Sequence, residues 1–147
     1  MVQIHPYINF KGTCEEAFKF YQSVLGGEIP YIGRYKDMPP SEDAHAMGEV
    51  DGEKIMHMSL HVSKDTVLMG SDIGGEWAKH SVEGNNVQLS INALSEDDAK
   101  KIFNGLSAGG RVTMQMEKTF WGALFGMFTD KFGINWMVNY DYNQQPK

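Results

Sequence analysis

The chain repeats itself, and that repeat constrains its fold more than any other feature. YINFKGTCEEAFKFYQSVLGGE, starting at Tyr7, is answered by VQLSINALSEDDAKKIFNGLSAGGR, starting at Val87. Both read as a short strand, a turn, an amphipathic helix and a Gly-Gly pair. Phe10 aligns with Ile91, Glu16 with Asp98, Ala17 with Ala99, Phe20 with Ile102, Tyr21 with Phe103 and Val24 with Leu106. Thr13 and Ser95 stand where an N-cap belongs, their hydroxyls able to accept a backbone N–H. Glu16 and Asp98, three residues on, suit a capping box or the positive helix end. Apolar residues at 17, 20, 21 and 24, and at 99, 102, 103 and 106, form one stripe on each helix.

The repeat continues past the helices. EIPYIGRY and RVTMQME each predict one strand. KIMHMSLHV-SKD-TVLMGSD and ALFGMFT-DKFG-INWMVNY each predict a hairpin. Each half is therefore strand, helix and three strands. The expected organisation is a single α+β domain over 1–147, with a first βαβββ module at 1–72, a Gly-rich linker at 73–86 and a second module at 87–141. Residues 36–53, with Pro-Pro and several acids, interrupt the first module as a surface loop suited to a lid.

Composition excludes several classes of function. With 147 residues and a net charge of −6, the chain has no Lys/Arg stripe to neutralise phosphates, so nucleic acid is not an expected partner. No run approaches the roughly 18 apolar residues needed to span a membrane, and MVQIHPYINF lacks the pattern of a signal peptide. The single cysteine, Cys14, precludes an internal disulfide and a cysteine-based metal site, which suits a cytoplasmic location. At the start of a helix its thiol could be activated by the dipole, but no neighbouring base supports a nucleophile, so a small buried residue is the simpler reading. The tail DYNQQPK reads as a frayed end.

The segments PYINF (6–10), EEAFKFY (15–21), IMHMSL (55–60), VLMGSD (67–72), FWG (120–122) and DKFGINW (130–136) carry a resemblance to a known family. Spanning nearly the whole chain in order, they resemble the vicinal-oxygen-chelate superfamily of glyoxalases, bleomycin-resistance proteins and extradiol dioxygenases. More narrowly they resemble its PhnB-like branch, often labelled a demethylubiquinone methyltransferase domain. Lys131 departs from that branch, which usually has proline there. The resemblance implies curved mixed sheets around a cleft, and commonly a homodimer. The methyltransferase label finds no support in the residues. SAGGR follows a helix and precedes a strand, the reverse of a nucleotide-cofactor turn.

In metal-dependent members the ligands come from the first and last strands of each module, typically His, Glu, His, Glu. By that resemblance the places here fall on His5, on Asn86 or Gln88, on Met69 or Gly70, and on Met137, so His5 is the one good ligand. No cofactor is expected, with a divalent metal as the lesser alternative. His57 and His61 share one strand face, but four strand residues rise about 13 Å, too far to hold one ion together. His57 reads as a polar wall residue bonded to a neighbouring strand, and His45, His61 and His80 as surface residues.

Two functions follow, and the sequence leaves open whether the protein is an enzyme. The first is metal-free binding of a small apolar or aromatic molecule in an aromatic and Met-lined cleft. Tyr7, Asn9, His57 and Asp72 would orient the ligand, and Met69, Gln88, Phe120, Trp121, Phe125 and Trp136 would line its site. The second is a glyoxalase-type lyase, isomerase or dioxygenase, with His5 on a metal and His57 or Asp72 as acid/base. For Asp72, a turn-capping role is an equal alternative. In the strand ALFGMFT, Phe125 and Met127 share one face, and Leu124, Gly126 and Phe128 the other; alternation alone does not say which meets the helix.

Overall fold

The computed structural model describes residues 2–37, 51–74 and 78–143. Most of the expected lid, with His45, and part of the linker lie outside the described residues. The chain forms two compact units, Met1–Val82 and Glu83–Lys147, whose boundary falls inside the expected linker. The first contains β1 (Tyr7–Phe10), α1 (Cys14–Leu25), β2 (Glu28–Arg34), a single 3-10 turn (Tyr35–Asp37), β3 (Ile55–Ser63) and β4 (Thr66–Asp72). The second contains β5 (Leu89–Asn92), α2 (Glu96–Ser107), β6 (Arg111–Lys118), β7 (Ala123–Thr129) and β8 (Asn135–Asp141). Among the described residues each unit shows a four-stranded mixed sheet, ordered β1-β4-β3-β2 and β5-β8-β7-β6, packed with one long helix. In both, the first strand runs parallel to the last and the other pairs are antiparallel. This is the predicted βαβββ module, twice.

Each helix covers one sheet face. α2 buries Ala99, Ile102, Phe103 and Leu106, the stripe its periodicity predicts. Phe103 meets Phe128 edge to face at 5.2 Å, which settles β7: Leu124, Gly126 and Phe128 face the helix. The stripe of α1 differs from its prediction. Cys14, Ala17, Phe18 and Tyr21 are buried, while Phe20 and Val24 are half-buried. Phe18 takes the central place because it meets Phe10 of β1 edge to face at 6.1 Å. The second glycine of each Gly-Gly pair lets a strand enter against its neighbour. A Cβ at Gly27 would collide with the carbonyl of His61, and one at Gly110 with that of Thr129.

The two helices start differently. Ser95 caps α2 as expected, its hydroxyl accepting the Asp98 N–H at 3.0 Å. Thr13 makes no side-chain cap. Its task falls to Asp72 at the end of β4. Asp72 Oδ1 accepts the N–H groups of Gly12 and Cys14, each at 2.9 Å, and Oδ2 accepts the Ile55 N–H at 3.0 Å. A carboxylate that receives three N–H groups displaces a hydroxyl that can serve one. Of the tail expected to fray, residues 144–147 lie outside the described residues and the first two residues make contacts. Asp141 pairs with Ala123, the Tyr142 N–H donates to the Gly122 carbonyl at 3.0 Å, and the Lys118 ammonium lies over the Tyr142 ring.

Two stability predictions follow from these contacts. Asp72→Ala strands three backbone donors, two of them in buried surroundings. It should cost about 3 kcal/mol, read as a lower urea midpoint; a loss no larger than that of an average surface substitution would refute the cap. The second prediction concerns Glu15. Both of its oxygens accept from Arg34, at 3.0 and 2.9 Å, and Lys19 pairs with it at 3.1 Å. The Arg34 bonds hold its carboxyl down from 4.5 to about 2. Because the folded value is the lower one, the stabilisation is full above the unfolded pKa and is lost as pH falls through the folded one. Wild type should exceed Glu15→Gln by about 1 kcal/mol at neutral pH. The gap should close between about pH 4.5 and 2, and denaturation curves across that window test it.

Candidate functional site

The sheet face turned away from the helix gathers most of the residues that the sequence singled out. In the first unit, registers place Tyr7, Met69, Ser59 and Tyr31 in one row across β1, β4, β3 and β2. The adjacent row holds Asn9, Ser71, His57 and Gly33. Alternation puts all of them on one face, opposite Met58, Leu60 and Leu68 in the core. His57 Nδ1 lies 3.2 Å from the Tyr7 hydroxyl, and its ring sits between Tyr7 and Tyr31, with centroids at 5.5 and 6.0 Å. Both tyrosines are about half exposed, at 46% and 51%. A Cβ at Gly33 would fall 2.6 Å from the Tyr31 hydroxyl, so glycine there leaves the ring room to lie flat. Ser71 donates to Asn9 at 3.4 Å. The face thus offers two rings and several hydrogen-bonding groups side by side.

In the second unit the equivalent face carries Ser90, Met137, Met127 and Met114 in one register row, and Asn92, Asn139, Phe125 and Glu117 in the next. Met127, Met137 and Phe125 are half-buried. Trp121 approaches Phe125 edge-on at 6.2 Å. Gln88, one residue before β5, continues the alternation of Ser90 and Asn92. Its Oε1 is buried with no hydrogen-bond partner.

Four of the expected site residues, Asp72, Trp136, Phe120 and Trp121, stand elsewhere than on these faces, Asp72 in the capping role that was its equal alternative. Asp72 points to the helix side, is 2% exposed, and spends both oxygens on backbone N–H groups, so it is neither a base nor a ligand anchor on the opposite face. Trp136 also faces the helix side, 2% exposed, with its Nε1–H donated to Asp130 Oδ2 at 2.8 Å. Asp130 Oδ1 accepts from Phe132 and Ile134 at 2.8 and 3.0 Å, so the Asp-Lys-Phe-Gly turn is folded around that carboxylate rather than around a ligand. Phe120 and Trp121 stand at the tip of the β6–β7 hairpin, 97% and 56% exposed. Burial, helped by Asp72 and Glu15, pushes the Cys14 thiol far above its usual range, the reverse of activation by the helix dipole.

His5 lies before β1, with Nε2 3.4 Å from Gln3 Oε1. Among the described residues no three His, Cys, Asp or Glu side chains come together as a metal would require. The donor set therefore does not fit the four-ligand pattern that the resemblance implied. His61 and His80 are exposed.

Sequence reasoning passed over Tyr31, Ser59, Ser71 and the Met127–Met114 row. Two-residue spacing from His57 and Met69 points to the serines, but the sequence does not show which strands neighbour one another. It also gave no sign of a cleft of about 450 Å³ beside the N-terminus of α1, lined by Glu15, Glu16, Arg34, Asp51, Glu53 and Lys54 among others. Its charges largely serve the fold. Arg34 binds Glu15 and donates to the Glu53 carbonyl at 2.8 Å, and Lys54 donates to the Gly12 carbonyl at 3.0 Å. On its border Tyr35 donates to the Asp72 carbonyl at 2.5 Å, and burial raises the phenol's pKa, with Tyr7, Asp72 and Cys14 adding to it.

Known proteins share this arrangement. The chain is 30% identical to protein YjdN of Escherichia coli, over 97% of each chain. It superposes on protein PA1353 of Pseudomonas aeruginosa with a TM-score of 0.78 and 38% identity, covering 96% of this chain and 98% of that one. A Bacillus cereus structure, described as a putative 3-demethylubiquinone-9 3-methyltransferase, PhnB protein, matches in fold with a TM-score of 0.74 at 21% identity, over 95% and 99% of the two chains. A family profile matches residues 3–138, and the chain belongs to the glyoxalase/bleomycin resistance protein/dioxygenase superfamily.

Proposed function

We propose that the protein binds a small, largely apolar or aromatic molecule, without a metal, on a sheet face turned away from its helix. The observation that carries this reading is the Tyr7–His57–Tyr31 cluster, with two half-exposed rings flanking an imidazole that is itself bonded to one of them. Rings on an open sheet face supply apolar contact at small entropic cost, and the adjoining hydroxyl, imidazole and amide groups orient what lands there. Tyr7, Asn9, His57 and Met69 are the contacts on the face of the first unit; the face of the second unit, taken by itself, offers Gln88 and Phe125. Membership of a superfamily that includes bleomycin-resistance proteins supports a binding role. The donor chemistry supports the metal-free part, because thioethers and amides replace carboxylates where a divalent ion needs them. A homodimer, as the resemblance implies, and a cytoplasmic location, as the single cysteine suggests, remain part of the proposal.

Isothermal titration with planar aromatic probes tests the binding. His57→Ala should weaken a probe that wild type binds by about tenfold, with circular dichroism unchanged. Undiminished affinity in His57→Ala and in Tyr7→Phe alike would remove the cluster from the site. Elemental analysis of untagged protein should find no stoichiometric metal, and EDTA should leave probe affinity as it was. One bound metal per chain would redirect attention to His5 and to lyase or dioxygenase assays.

A further inference from the structure

The second unit holds a feature that narrows the binding reading. Gln88 Oε1 is a buried acceptor with no donor. An unpaired buried carbonyl is costly, and native structures rarely keep one without a use. Among the described residues no donor reaches it. Register places Gln88 beside Asn135, whose Oδ1 already accepts from the Thr129 hydroxyl at 2.7 Å and whose amide nitrogen donates to the Gly84 carbonyl at 3.3 Å. One row further along the same face run Met137, Met127 and Met114, one on each of three adjacent strands. Thioethers are polarisable, adapt their shape and make favourable contacts with aromatic rings. The unit therefore sets a lone acceptor at the border of a thioether row.

We infer that Gln88 selects the ligand. The preferred class is a flat aromatic compound with a ring N–H or phenolic O–H on its edge, its face against Met137 and Met127 and its donor on Gln88 Oε1. This rests on the binding reading above and narrows it from any apolar molecule to a hydrogen-bond donor. The same geometry gives a consequence without any ligand. Replacing Gln88 by an apolar residue removes the unpaired oxygen, so the free protein becomes more stable as it loses discrimination. A residue that only packs or only supports the fold would not show that pairing of effects.

The probes are indole and 1-methylindole, nearly alike in shape and different in the N–H, titrated calorimetrically into the untagged full chain. Wild type should bind indole about tenfold more tightly than 1-methylindole. In Gln88→Leu the ratio should fall to about one, and the ligand-free melting temperature should rise by about 3 °C. Gln88→Met, which keeps the length of the side chain, should behave like Gln88→Leu, and its melt confirms a folded protein. Equal affinities in wild type, or a preference that survives in both variants, would overturn the role of Gln88 and leave the binding reading standing. Failure of both probes to bind wild type would overturn the apolar-face reading, and this inference with it.

Discussion

The first unit depends on one buried carboxylate. Asp72 ends β4, yet its oxygens hold the N–H groups at the start of α1 and at the start of β3, and its own carbonyl receives the Tyr35 hydroxyl. Four segments distant in sequence thus converge on one residue. Burying an ionised group is costly unless hydrogen bonds replace its water, and three N–H donors do so here. Because Asp72 faces the helix, its alternate neighbours Ser71 and Met69 are directed to the opposite face. The capping bond and the candidate site are two sides of one strand.

The second unit solves the same problem by other means. Ser95 caps its helix locally, which leaves the sheet's buried carboxylate, Asp130, free to organise the β7–β8 turn and to hold the indole of Trp136. Trp136 therefore belongs to the core. With its aromatic mass on the helix side, the other face of β8 is left to Asn135, Met137 and Asn139, and that of β7 to Phe125, Met127 and Thr129. The two units share topology and differ in chemistry. The first presents tyrosines, an imidazole and hydroxyls, and the second presents thioethers, a phenylalanine and amides.

Much of the fold was legible in the chain. The repeat and, among the described residues, the two long helices, the eight strands and both hairpin turns can be read from periodicity and turn residues, because these signals are local. The stripe of α2 was legible for the same reason. That of α1 was not, because the neighbouring strands decide which of two aromatic residues two positions apart, Phe18 or Phe20, is taken into the core. The site was half legible. Alternation groups Tyr7 with Asn9, and His57 with Ser59, but nothing local brings His57 to Tyr7 across fifty residues of chain. Asp72 was left between a cap and a site residue, and Trp136 was misplaced, because an acid at a strand end and an aromatic residue in a strand look the same on either face.

The sequence by itself determined that this chain makes two βαβββ modules, since hydrophobic period, capping residues and Gly-Gly stops act within a few residues of one another. It also determined which side chains travel together along each strand, since the pleat leaves no alternative. Only the tertiary structure decided which face of each sheet the helix covers and which strands lie side by side. Those choices depend on packing between segments far apart in the chain: Phe18 against Phe10, Phe103 against Phe128, and the Asp72 carboxylate against the start of α1. With the faces assigned, the tyrosines, His57, the methionine row and Gln88 fall on the side that the helices leave uncovered.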